Sequence, residues 1–144
     1  MDDDTRWRIE AACQRVMAQF AFAVDAHDAD GVARTIAPEG VWHHQGREYP
    51  GRDAVRRAVV ERQAQAPSLI TRHHYGATVV DVIDASRAKA RTYYAVYRHE
   101  GDGDPTLPRS LQATRIGEYI DTFMATAEGW KFASKRALRV IEQT

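Results

Sequence analysis

Residues 23–42 read AVDAHDADGVARTIAPEGVW, and the order of residue types in this stretch decides the architecture. It opens on the last turn of an apolar-periodic segment, passes a cluster of capping residues, and closes on apolar residues at strand spacing. Behind it, residues 5–27 place Ile9, Ala12, Cys13, Val16, Met17, Phe20 and Val24 on one helical stripe, with Arg6, Arg8, Gln14, Arg15 and Gln19 off it. Ahead of it, Asp28 or Asp30 can cap a short second helix running through Ile36, which Pro38 and Gly40 stop. VWHHQGREY then reads as a hairpin around Gln45 and Gly46. A third helix begins at Gly51, Arg52 and Asp53 and runs through Val55, Ala58, Val59 and Arg62 until Ala66 and Pro67.

From residue 69 onward the pattern changes. Leu69–Ile83, Ala88–His99, Leu111–Ala125 and Trp130–Val140 are four long β-type segments. DASR, the loop GDGDPTLPRS and the turn TAEG join them, as an antiparallel meander requires. The loop at 100–110 is the one candidate for disorder or a mobile lid. Helices first and long strands after predict an α+β domain spanning residues 1–144. In it, three N-terminal helices cover a cone-shaped, curved antiparallel sheet and leave an internal cavity.

A chain of 144 residues suits one domain with a sizeable core. Twenty basic and twenty acidic residues cancel, so no global field draws the protein to nucleic acid or an anionic membrane. The densest basic group, Arg52, Arg56, Arg57 and Arg62, reads as the solvated face of the third helix. One cysteine, Cys13, excludes an intrachain disulfide framework and a cysteine-based zinc site. The polar, acidic start MDDDTRWRIE is no signal peptide, and no apolar run approaches the ~20 residues of a membrane span. A cytoplasmic protein is the default expectation.

Asp25 ends the first helix and His73 opens a strand in TRHHYGATVVDV. They can meet only if the helix packs over the sheet, which places both at a pocket. A buried carboxylate must find a partner, and an imidazole donating from one ring nitrogen keeps the other free as a base. The bland alternative is that Asp25 bridges to the second helix and that His73 is a satisfied core histidine. Neighbours on a strand point to opposite faces, so only one of His73 and His74 can enter a cavity. His73, Tyr75 and Ala77 share one face. The same alternation puts His44 with Trp42 and away from His43; His44 could donate or accept a second proton or serve as a polar wall. Adjacent strand histidines make poor joint metal ligands, and no helix offers HxxxH spacing, so no metal is expected.

Five motifs in order, AVDAHDADGVARTIAPEGVW, YPGRDAV, RHHYGATVVDV, IGEYIDTF and EGWKFASKR, resemble the SnoaL-like branch of the nuclear transport factor 2 (NTF2-like) superfamily, with its cystatin-like α+β barrel. Within that branch the chain is similar to scytalone dehydratase, bacterial bile-acid dehydratase and hexachlorocyclohexane dehydrochlorinase, which are cofactor-free lyases. The resemblance implies that their Asp–His dyad falls on Asp25 and His73. The tyrosine preceding the dehydratase aspartate falls on Val24, and its strand tyrosine on His44. The dehydrochlorinase arginine falls near Arg136, with Lys135 an equally fair match, and its helix lysine falls on Phe20. By position Tyr94, Val96 and Arg98, and Arg115 and Tyr119, resemble cavity-lining strand residues, Tyr94 and Tyr119 offering an apolar wall with a hydroxyl.

The expected activity is that of a lyase or isomerase without cofactor, acting on a small, hydrophobic, oxygenated and cyclic substrate. Asp25, His73 and His44 would carry the chemistry. Phe20, Val24, Trp42, Tyr94, Val96, Arg98, Arg115, Tyr119 and Arg136 would bind substrate. The alternatives are a non-catalytic small-molecule-binding module or, further off, a structural protein like the small subunit of ring-hydroxylating dioxygenases. The resemblance also implies a homodimer through the outer sheet face, where Ile116, Ile120 and Met124 are apolar.

Overall fold

A computed structural model describes residues 1–101, 108 and 113–142, without the side chains of Ala113 and Thr114. The elements run α1 (Asp3–Asp25), α2 (Ala29–Thr35), β1 (Ile36–His44), β2 (Arg47–Pro50), α3 (Gly51–Gln65), β3 (Ile70–Val82), β4 (Arg87–His99), β5 (Ala113–Thr126) and β6 (Gly129–Glu142). The fold is α+β, with three helices against one curved six-stranded sheet of order β2-β1-β6-β5-β4-β3. The loop read as a candidate lid lies mostly outside the described residues.

Asp2 caps α1 by accepting from the Thr5 amide at 2.7 Å, and Asp3 and Asp4 place negative charge at the positive end of the helix dipole. The stripe read from the sequence is the buried one: Ile9, Cys13, Val16, Met17, Phe20 and Val24 sink into the core with Trp42, Phe123 and Phe132. Burying each such side chain is worth about 1.5–3 kcal/mol before ordering entropy, which is what seats the helix over the sheet. The turn after α1 is fixed by His27, whose φ is 56° and whose Nε2 lies 2.8 Å from the Leu69 carbonyl oxygen. That contact ties the end of α1 to the residue preceding β3. Asp28, rather than Asp30, caps α2, accepting from the Gly31 amide at 2.8 Å.

Two expectations are corrected here. The second helix stops at Thr35, and Ile36 already belongs to β1, so Pro38 and Gly40 lie within a strand. They mark an irregularity between Ile36 and Val41, where β1 lies against β6. A Cβ on Gly40 would sit 2.6 Å from the Phe132 carbonyl oxygen, so only glycine allows that approach. The sheet is also mixed, because β1 pairs parallel to β6 while the β3–β6 meander is antiparallel.

Two bulges change which residues face inward. Tyr75 pairs with Tyr94 and Thr78 with Thr92, leaving Gly76 and Ala77 opposite Tyr93 alone. Ala77 is therefore exposed, and Thr78 takes over the inner face that His73 and Tyr75 occupy. On β6 Ala133 is the extra residue, between the Phe123–Phe132 and Thr122–Ser134 pairs. The inner face consequently passes from Phe132 to Lys135, and Arg136 is exposed.

Candidate active site

The helices and the curved sheet enclose a cavity of about 660 Å³. Its wall includes Phe20 and Val24 from α1, Trp42 and His44 from β1, Arg62 from α3 and His73 from β3. Tyr94, Val96 and Arg98 of β4 and Arg115 and Tyr119 of β5 complete the opposite side. Every substrate-binding residue read from the sequence except Arg136 thus reaches the wall. Arg136 does not, for the bulge at Ala133 turns it outward.

Asp25 and His73 meet. The Asp25 Oδ1 to His73 Nδ1 distance is 2.6 Å, and both side chains are nearly buried. Two further groups fix the carboxylate: the His73 amide donates to Oδ2 at 2.9 Å and the Thr71 hydroxyl donates to Oδ1 at 2.8 Å. Burial pushes the Asp25 carboxyl up, but the His73 and Thr71 hydrogen bonds and the His73 charge outweigh it, so it stays below the ordinary aspartate value. Asp25 is not itself a wall residue. It stands behind His73 and borders an outer groove with Phe22, Arg72 and His74. Its part is to position the ring, and with Nδ1 engaged, Nε2 is the ring nitrogen left for a ligand.

A folded-state carboxyl held below its unfolded pKa contributes stability that is complete above about pH 4 and is lost as pH falls through the folded value. Thr71→Val removes one of the three donors while keeping the shape. It is expected to cost about 0.5–1.5 kcal/mol at neutral pH and to move acid unfolding to higher pH, which urea titrations at pH 7 and pH 4 measure.

His44 stacks on Trp42, with centroids 4.7 Å apart and planes 20° apart. Burial, then the charges of Arg62, Arg115 and Arg139, push its pKa down to about 3. That shift favours the neutral ring over the imidazolium. Its Nε2 is buried and has no hydrogen-bond partner. Tyr94 and Tyr119 stack at 4.1 Å, and burial raises both hydroxyl pKa values, keeping them protonated as donors.

Behind this wall lies a buried ion pair, Lys135 Nζ to Asp121 Oδ2 at 3.3 Å, both side chains sealed from solvent. The Lys135 ammonium sits 3.6 Å from the Tyr119 ring centroid and 4.7 Å from that of Phe20. Burial lowers the lysine pKa and raises that of the aspartate, each opposed by the other's charge.

Sequence reasoning missed Arg139, Thr71 and the pairing of Lys135 with Asp121, and it put Arg62 on a solvated face. A signal existed for two of them. Thr71 shares strand parity with His73, and Arg62 follows Val55 and Val59 at helical spacing on the buried side of α3.

Three helices against one curved six-stranded sheet, with a cavity between them, is the α+β architecture of the NTF2-like class. Residues 5–136 match the SnoaL-like domain, and the chain belongs to that family. Among solved structures it is similar to a proposed scytalone dehydratase from Novosphingobium aromaticivorans, at 19% identity and TM-score 0.82 over 99% of this chain and 91% of that one. An NTF2-like protein with a cystatin-like fold from the same organism gives 18% identity and TM-score 0.77, covering 93% and 83%. A Catenulispora acidiphila protein in complex with S-DNPA gives 25% identity and TM-score 0.76, covering 92% and 93%. No curated protein matches the chain. Among the described residues, no helix is long and apolar enough to cross a membrane.

Proposed function

We propose that this chain is a cofactor-free lyase or isomerase, of dehydratase type, acting on a small, hydrophobic, oxygenated cyclic substrate. The observation that carries the reading is the 2.6 Å contact between Asp25 and His73, with His73 at the wall of the cavity. In this scheme His73 Nε2 takes a proton from the carbon alpha to a carbonyl, and the C–H electron pair moves into an enolate. Asp25 holds the ring and stabilises the imidazolium that forms. The imidazolium then gives its proton to a hydroxyl leaving from the beta carbon, releasing water, or returns it to another carbon in an isomerisation. Tyr94, Tyr119, Arg98 and Arg115 carry the hydrogen bonds to the developing oxyanion, and neutral His44 binds without protonating. The wall supplies the apolar surface a ring needs, with Phe20, Val24, Trp42 and Val96.

A binding module without chemistry is the second reading. The Catenulispora acidiphila relative in complex with a small molecule favours it, and so do Phe20 and Val24, where the resembling lyases place lysine and tyrosine. A homodimer belongs to either reading; the exposed outer-face residues Tyr93, Ile116 and Ile120 support it.

The test is deuterium incorporation from D2O into a panel of cyclic ketones and β-hydroxy ketones, followed by NMR and by loss of water. Saturable, protein-dependent exchange is the expected result. Saturable binding with no exchange or elimination anywhere in the panel would leave only the binding module.

A further inference from the structure

Four guanidinium groups line the cavity, from Arg62, Arg98, Arg115 and Arg139. Three of them have carboxylate partners. Glu142 accepts from Arg115 at 2.8 Å and from Arg139 at 3.1 Å, and Glu100 lies 3.7 Å from Arg98. Asp25, the remaining carboxylate near the wall, is engaged by His73. Among the described residues Arg62 has no hydrogen bond or ion pair. It is half-buried, and the positive charges that press on it most are those of Arg98 and Arg115.

An arginine in that position is unfavourable for the empty protein. Its charge is partly stripped of water, it faces like charges, and among the described residues the one carboxylate acting on it is Asp25, from a distance and already engaged by His73. Val55 and Val59 on the same face of α3 are buried, which turns Arg62 toward the cavity instead of letting it swing to solvent like Arg56. A group that costs stability and points at a cavity is explained when a ligand completes it. The charge count points to the ligand's valence. Four guanidiniums line the cavity and Glu100, Glu142 and Asp25 lie against it, so among the described residues the guanidiniums exceed these carboxylates by one. A single negative charge neutralises that excess; a dianion overshoots. The guanidinium fork matches the two oxygens of a planar carboxylate. The remaining wall of Phe20, Val24, Trp42, Tyr94, Val96 and Tyr119 suits a ring.

We infer that Arg62 is the anion anchor of the cavity and that the natural ligand is a ring compound carrying one carboxylate. The inference rests on the reading of the cavity as a substrate pocket and adds the substrate's charge to it.

Binding can be measured by calorimetry at pH 7 and low salt, using benzoate, 2-naphthoate and biphenyl-4-carboxylate, each against its primary amide. At least one carboxylate is expected to bind on the order of 10-fold or more tighter than its amide. Arg62→Gln should bring that pair within about 2-fold while leaving the amide's affinity in place, and Arg62→Lys should keep part of the preference. The melting temperature of Arg62→Gln should be unchanged or raised, since an unanswered charge is removed. Equal binding of acids and amides, a preference that survives in Arg62→Gln, or no binding by any of the acids would overturn the inference. So would tighter binding of 2-naphthyl phosphate than of 2-naphthoate. None of these aromatic acids has a proton on the carbon alpha to its carboxylate, so their binding is read apart from exchange in the ketone panel. A carboxylate preference without catalysed exchange therefore sinks only the lyase reading, and exchange without the preference sinks only the anchor.

Discussion

Replacing His73 by alanine is expected to lower catalysed proton exchange by about 10²–10⁴-fold, the range over which a positioned general base accelerates a reaction. The His73 ring combines a nitrogen left for a ligand with an orientation fixed by a carboxylate. Its Nδ1 is held at 2.6 Å from Asp25 and its own backbone amide is held at 2.9 Å by the same carboxylate. His44, the other wall imidazole, has its pKa pushed down to about 3 and is too weak a base to take over. Asp25→Asn separates orientation from charge. An asparagine can still accept from Thr71 or the backbone amide, but its neutral oxygen stabilises an imidazolium far less and its amide nitrogen offers Nδ1 a donor. A large loss of exchange with ligand affinity preserved is the expected signature. His73→Ala that binds ligand and exchanges at the wild-type rate would remove His73 from the mechanism.

Asp121→Ala is expected to produce the largest stability loss, about 3–5 kcal/mol, because it strands a buried cation. The Lys135 ammonium donates at 3.3 Å to Asp121 and is otherwise enclosed by the rings of Tyr119, Phe20 and Phe132. Aromatic faces compensate only part of the lost hydration. The variant's pH dependence identifies the cause. Burial already lowers the Lys135 pKa, and in the variant no anion opposes it. The unfolded chain then binds more protons than the folded one, so stability rises with pH as the buried amine loses its proton. Replacing both partners, Asp121→Leu with Lys135→Met, removes the desolvation cost on each side and is expected to be neutral or stabilising. Urea unfolding of the single and double variants at several pH values measures all of this. A double variant as unstable as Asp121→Ala would show that the pair is needed for packing and not merely matched in charge.

What the sequence made legible follows from local periodicity. The helical stripe from Ile9 to Val24 and the long strands after residue 69 are properties of short windows, and both form where the pattern puts them. Strand parity also chose His73 over His74, and paired His44 with Trp42, without any long-range information. Parity fails wherever a strand carries an extra residue. One bulge moved the inner face from Ala77 to Thr78, and another moved it from Arg136 to Lys135. A bulge depends on the partner strand, so no window of β6 alone could reveal it. The parallel pairing of β1 with β6 joins residues some ninety positions apart and is hidden for the same reason. Arg62 was lost differently. It was grouped with the more exposed Arg56 and Arg57 by composition alone, although its spacing from Val55 and Val59 marks the buried side.

The proposed chemistry turns on the state of the His73 ring. Nitrogen-15 chemical shifts of its imidazole at neutral pH report which nitrogen carries the proton. The expected result is a proton on Nδ1, toward Asp25, with an Nε2 signal that shifts when a cavity ligand binds, and loss of that Nδ1 preference in Asp25→Asn. A ring protonated on Nε2, or an Nε2 that no cavity ligand perturbs, would contradict it.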